Sequence, residues 1–287
     1  MATGLAGIVQ HLYKLQESVM NRQRGRIGVG IVTCNRKSGL LRLWNSLPKQ
    51  QIDALIIVND GKHEAEYHSL QATLVENPQN QGVGCSKNTA LRYLLTQNID
   101  HFFLIEDDIY LKDPQVFERY IAASEETGIQ HFNFGLHGPY NVDEQGLPRP
   151  RLQVNYASFC LPLYPSCVGA FSYYSRRCLQ KAGLMDEIFY NALEHVEHSW
   201  RIIQAGMHPP FSYFADIENS GDYLGDEGWS PRQSTICSQL TFRAVCMTAA
   251  LQFKEKYGFS LSTLPLAGSQ EAIQSLRNIS QRFSSRH

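Results

Sequence analysis

Three short apolar runs, each ending in polar residues, constrain this chain more than any other feature. They are IGVGIVT (27–33), ALIIVND (54–60) and HFFLIEDD (101–108). Each is strand-sized, rich in β-branched or aromatic residues, and apolar at consecutive positions, which is the pattern of a strand covered on both faces. Helical spacing fills the gaps. A helix is expected over 38–47 with Ser38 as its cap, and another over 86–97 behind a turn containing Gly82 and Gly84. TLVENP (73–78) adds a short strand, and a helix over 114–127 opens on Pro114. This alternation predicts an α/β domain: a mostly parallel sheet with helices on both faces.

The second half is less regular. HFNFGLHGPYN and RLQVNYASFCLPLY read as strands of a small antiparallel annex, and CVGAFSYYS (167–175) as a further strand. A short helix closes at Gly183 and a longer one, 194–206, at Gly206. Residues 236–257 and 268–284 have the spacing of two C-terminal helices, and 5–20 that of an N-terminal helix followed by the basic linker NRQRGR. The expected division is 1–25 helix and linker, 26–215 catalytic domain, and 216–287 a lid segment with a helical extension.

A formal net charge of -1 leaves no global basic field, so nucleic acid is not an expected partner. No apolar run reaches the roughly 20 residues a membrane span needs. The N-terminus lacks the basic start and apolar stretch of a secretory signal. Seven scattered cysteines without a C-x-x-C pair point to reduced thiols rather than a disulfide framework or a zinc cage. Together these predict a cytoplasmic location, at the inner face of the membrane if the terminal helices dock there. The same helices fit homo-oligomer contacts or plain packing on the core.

In open α/β sheets ligands bind beyond the carboxyl ends of the strands. The residues to watch are therefore Thr33 to Arg36, Asn59 to Lys62, and the three adjacent acids Glu106, Asp107 and Asp108. Like charges side by side are costly unless water or a cation compensates them. In extended chain Glu106 and Asp108 would share a face, a geometry that suits a hard divalent cation. The rival reading is a solvated loop or helix cap.

Five segments in order resemble a GT-A-fold, family-2-type inverting glycosyltransferase: VGIVTCNR, IIVNDGK, NPQNQGVGCSKNTAL, LIEDDIYL and GLMDEIFYNALEHVEHSWRIIQAG. The resemblance covers roughly residues 26–215. It implies a Rossmann-like nucleotide-binding sheet and transfer of a sugar from a nucleotide donor, expected to be a UDP-sugar, to a saccharide or glycolipid acceptor. It also implies Mn²⁺ or Mg²⁺, held by Asp108 with Glu106. Thr33, Asn35, Arg36, Asp60, Lys87 and Asp107 would face the nucleotide, and Gly169 and Ala170 the donor sugar. The family commonly carries Glu-Asp before its late helix and takes its general base there; this chain has Glu194-His195. Glu194 is the first expectation for the base and His195 the second, with Glu197 better suited to pair with Arg201 one turn on. A histidine that often completes the metal shell is missing between His208 and His287, so Asp216, Glu218, Asp222 or water would substitute. Two rivals remain: a sugar-nucleotide-forming nucleotidyltransferase, although TCNRKSG is not a phosphate loop, and a domain that binds nucleotide sugars or glycans without turnover.

Overall fold

The computed structural model describes residues 25–227 and 240–284, so the expected helix over 5–20 lies outside the described residues. Strand β1 (Ile27–Thr33) leads to helix α1 (Lys37–Ser46), β2 (Ala54–Asn59), β3 (Thr73–Glu76), α2 (Val83–Thr96) and β4 (His101–Glu106). After a turn come β5 (Ile109–Leu111), α3 (Val116–Thr127) and β6 (His131–Asn133). Strands β7 (Leu152–Asn155), β8 (Cys160–Tyr164) and β9 (Phe171–Ser175) precede α4 (Arg176–Ala182) and α5 (Glu194–Gln204). The chain continues through β10 (Phe214–Ala215), α6 (Ser220–Tyr223), β11 (Leu224–Asp226), α7 (Phe242–Tyr257) and α8 (Ser269–Ser284).

The main sheet has the order β3-β2-β1-β4-β9-β6. Its first four strands are parallel, and β9 and β6 join antiparallel. One face packs Ile27, Val29 and Ile31 into the larger core; the other packs Ile56, Val58 and Leu104 against Ala90, Leu91 and Leu94 of α2. Gly28 and Gly30 explain how close α2 lies: a Cβ on Gly30 would come within 2.7 Å of the Ala90 Cβ. Ala272, Leu276 and Ile279 of α8 belong to the same large core as the sheet.

Several local expectations change. Helix α1 begins at Lys37, with Arg36 at its cap position and no side-chain cap bond, so Ser38 is inside the helix. Pro114 precedes α3, which is capped by Gln115 and closed by Gly128 at φ +77°. HFN joins the main sheet rather than the annex, which is β7, β8 and β10. The 167–175 strand is confined to Phe171–Ser175, leaving Cys167 to Ala170 as a loop at the site. Among the described residues no helix is long and apolar enough to cross a membrane.

Candidate active site

Strand β4 stops at Glu106, and a turn carries the chain through Asp107 and Asp108 into β5. The acids therefore do not continue an extended chain, and each takes separate partners. Glu106 accepts from Lys87 Nζ at 2.6 Å. Asp107 turns under the β1 loop: Thr33 Oγ1 donates to it at 2.7 Å, the Cys34 amide at 3.2 Å, and Arg36 Nε lies 3.3 Å away. Burial pushes Asp107 up to about 7, with the Thr33 hydroxyl pulling it back.

Asp108 is different. Its Oδ1 is buried without a hydrogen-bond partner, and its Oδ2 lies 3.7 Å from His137 Nε2. The other ring nitrogen, Nδ1, is 3.0 Å from Asp226 Oδ2. A carboxylate on the far nitrogen orients an imidazole toward a metal in many metal centres. An orphaned buried carboxylate oxygen costs free energy that a cation would recover. Carboxylate with imidazole suits Mn²⁺, and carboxylate alone Mg²⁺. The residues present thus fit a divalent cation at Asp108, with His137 beside it.

His137 sits in the short turn Gly135–His137 after β6, and Asp226 ends β11, which pairs with β5. Neither position carries a local signal linking it to β4. The histidine beside Asp108 thus lies upstream, not in the segment after His208 where one was sought. Two of the substitutes named from sequence, Asp216 and Glu218, are engaged elsewhere. Asp216 is buried and accepts from Tyr120 Oη, Ser220 Oγ and the Gly135 amide, so it anchors the His137 turn. Glu218 accepts from the Cys160 amide.

Lys87 is enclosed by its neighbours. Its side chain is 1% exposed, enclosed by Glu106, the Gly169 carbonyl at 2.9 Å and Glu194 Oε1 at 3.9 Å. Burial disfavours its charge, but Glu106 and Glu194 outweigh that and raise it above the ordinary lysine value. Glu194 is itself buried and accepts from His195 Nδ1 at 2.8 Å. Burial pushes Glu194 up; His195 and Lys87 override it and hold the carboxyl at about 2. Glu194 is thus ionised and only accepts, so Nδ1 of His195 donates to it. The site side of this pair is the more open one: the His195 side chain is 23% exposed, that of Glu194 4%.

The backbone before α5 is bent to deliver this dyad. Asn191 and Leu193 have φ of +53° and +64°. For leucine that conformation costs of order 1 kcal/mol and persists only where surroundings enforce it. Asn191 Oδ1 accepts from the Val83 amide, tying the bend to the start of α2. Gly169 makes room opposite: a Cβ there would lie 3.0 Å from the His195 ring and 3.1 Å from Lys87 Nζ. Glu197 and Arg201 form the expected pair at 2.9 Å, and Lys256 and Tyr257 of α7 also donate to Glu197.

Asp60 lies at the end of β2, where the Gln81 and Gly82 amides and Asn77 Nδ2 donate to its carboxylate. It holds the turn that starts α2. Asn35 stands between two cavities. One, of about 1020 Å³, is lined by Arg36, Lys37, Arg42, Asp226 and Glu227; the other, of about 580 Å³, by Asp60, Lys62, His63, Asn77 and Asn80. Arg36 is paired with Glu227 and Asp107 on the wall of the first.

The sequence profile of the family described as "Glycosyl transferase family 2" matches residues 28–183, more than half of the chain. The chain belongs to that family. An uncharacterized glycosyltransferase of Acanthamoeba polyphaga mimivirus is 25% identical over 215 residues, spanning 69% of this chain and 80% of the viral one. Among solved structures, GalNAc-T7 crystallised with UDP, GalNAc and Mn²⁺ superposes with a TM-score of 0.53 at 14% identity. That match covers 91% of this chain but 56% of GalNAc-T7, so the chain spans little more than half the length of that relative. A mannosyltransferase of Pyrobaculum calidifontis in complex with GDP-Man and Mn²⁺ gives a TM-score of 0.47 at 14% identity, covering 92% of this chain and 87% of the other. The GalNAc-T7 superposition shows a shared GT-A fold, and the family match identifies this chain as a glycosyltransferase.

Proposed function

We propose that this glycosyltransferase moves a sugar from a UDP-type donor to a hydroxyl of a saccharide or glycolipid acceptor, with inversion, in glycan or cell-surface polysaccharide synthesis. The observation that carries the proposal is one continuous row, His137, Asp108, Glu106, Lys87, Glu194 and His195, across the carboxyl end of the parallel sheet. It would put a cation at Asp108 and a base at His195 within one charged network. The catalytic part corresponds to residues 26–215 with Asp226 contributed from the following segment.

Asp108, with His137 and Glu106 next to it, would hold Mn²⁺ or Mg²⁺; GalNAc-T7, with the same fold, was crystallised with Mn²⁺ and UDP. A divalent cation there would supply the charge that stabilises a leaving diphosphate. Asn35, Arg36 and Asp60, on the walls of the two cavities, shape the space for the nucleotide. Thr33 and Asp107 brace that loop from beneath. His195 acts as the base: its Nε2 accepts the acceptor hydroxyl's proton as the oxygen attacks, and Glu194 holds the ring and stabilises the imidazolium. Glu194, first expected to be the base, is too weakly basic at about 2 to take that proton efficiently. Lys87 bridges Glu106 and Glu194 and helps to hold Glu194 ionised.

The test is UDP release from a panel of UDP-sugars, with Mn²⁺, with Mg²⁺ and with chelator, beside Asp108→Ala. Turnover of one donor that needs metal and vanishes in the variant is the expected result. UDP-sugar binding with no release or transfer in the presence of saccharide acceptors would favour a binding module instead.

A further inference from the structure

Another cluster of metal-ligating side chains stands apart from the row at β4. His63 follows the β2 turn, His68 lies in the short helical turn Ala65–Ser69, and Glu76 ends β3. Their ligand atoms all lie within 4.8 Å of one another. His63 Nδ1 is 2.9 Å from Glu76 Oε2, and His68 Nε2 is 3.4 Å from the same oxygen. Tetrahedral zinc, with bonds of ~2.0–2.1 Å, needs its ligands about 3.3 Å apart. Beta3 and β4 are the outer members of four parallel strands, so this cluster is about 14 Å from the acids, three interstrand spacings of ~4.8 Å.

We propose that His63, His68 and Glu76 form a second metal site, selective for a zinc-class ion, on the rim of the 580 Å³ cavity. Two imidazoles and one carboxylate favour zinc, whereas oxygen-rich sets favour Mg²⁺ and Ca²⁺. Three protein ligands leave a fourth position for water. The turn presenting His68 is anchored, because neighbouring Tyr67 is 1% exposed in the core. The bound ion ties the loop after β2 to the edge strand β3. His63 and Glu76 both line the cavity, so the ion stiffens one of its walls and adds positive charge there.

The experiment is titration of the full chain with Zn²⁺ alone, repeated for Asp108→Asn by itself and combined with His68→Ala or Glu76→Gln. Co²⁺ substitution reports geometry through its visible absorption. In Asp108→Asn, which removes the candidate site at β4, one zinc per chain is expected, and adding His68→Ala or Glu76→Gln weakens it about tenfold or more. His68 and His63 are exposed, and circular dichroism would check that His68→Ala folds. Equal zinc affinity in Asp108→Asn with and without His68→Ala or Glu76→Gln would overturn the proposal. So would loss of the zinc in Asp108→Asn, or no binding by the unchanged chain. None of these readouts depends on sugar transfer, so a failure here is separate from a failure of the transferase mechanism.

Discussion

The imidazole of His195 occupies the space that a side chain on Gly169 would fill, 3.0 Å from the position of the missing Cβ. The ammonium of Lys87 lies 3.1 Å from the same point. Glycine is needed here for close approach, since Gly169 is not among the residues with positive φ. Gly169→Ala should displace the His195 ring or Lys87. Misplacing a catalytic group by about 1 Å can cost on the order of 100-fold in rate. We expect kcat to fall about 10- to 100-fold while the melting temperature changes little; unchanged kcat would remove His195 from the chemistry.

The dyad divides the roles of its members. His195→Asn should lower kcat by about 10²- to 10⁴-fold, the usual value of a positioned base. Glu194→Gln should cost less and change the pH profile. Glu194, held at about 2, cannot produce an acid limb in kcat/KM near neutrality, so any such limb should disappear in His195→Asn and not in Glu194→Gln. A limb that persists in both would assign the base elsewhere.

The same carboxylate links acid stability to the site. Its folded value, about 2, lies below the ordinary 4.5. A group depressed by folding stabilises above its unfolded pKa and loses that contribution as pH falls through the folded one. Glu194 should therefore contribute on the order of 3 kcal/mol above about pH 4.5, lost between there and about pH 2. Denaturant titrations of Glu194→Gln across this window should show a shallower loss of stability than the unchanged chain.

Metal affinity should report the long-range partners of Asp108. Asp108→Asn should abolish stabilisation by Mn²⁺ in a thermal shift assay. His137→Ala should weaken Mn²⁺ by about 10- to 100-fold, and Asp226→Asn within or below that range, as for residues that orient a ligand. An unaltered Mn²⁺ response in His137→Ala would exclude the histidine from the centre.

Glu197 is structural. Its side chain is fully buried and accepts from Arg201, Lys256 and Tyr257, joining α5 to α7. Glu197→Ala removes the acceptor shared by the partly buried Arg201, Lys256 and Tyr257 and should cost about 1–3 kcal/mol, lowering the melting temperature by roughly 3–10 °C.

What could be read from the sequence followed the range of the interactions. Strands β1, β2 and β4 declared themselves because burial on both faces demands unbroken apolar runs. The acids at the end of β4 were visible because the sheet puts ligand groups at strand ends. Glu197 with Arg201 was legible because helix spacing alone brings them together. His137 and Asp226 were not, since their approach to Asp108 depends on a turn anchored by Asp216 and on pairing of β5 with β11. Lys87 was recognisable as a basic residue near the site, but its enclosure depends on Gly169 and Glu194, which approach it from distant segments.

The pairing of Tyr110 with Gly225 also has a consequence for biosynthesis. Chains emerge from the ribosome N-terminus first, and contacts between distant segments form only once both are outside. The parallel strands can assemble early, yet Asp226 must be delivered before His137 is held toward Asp108. A nascent chain would therefore build its parallel sheet before Asp226 could hold the His137 ring beside Asp108.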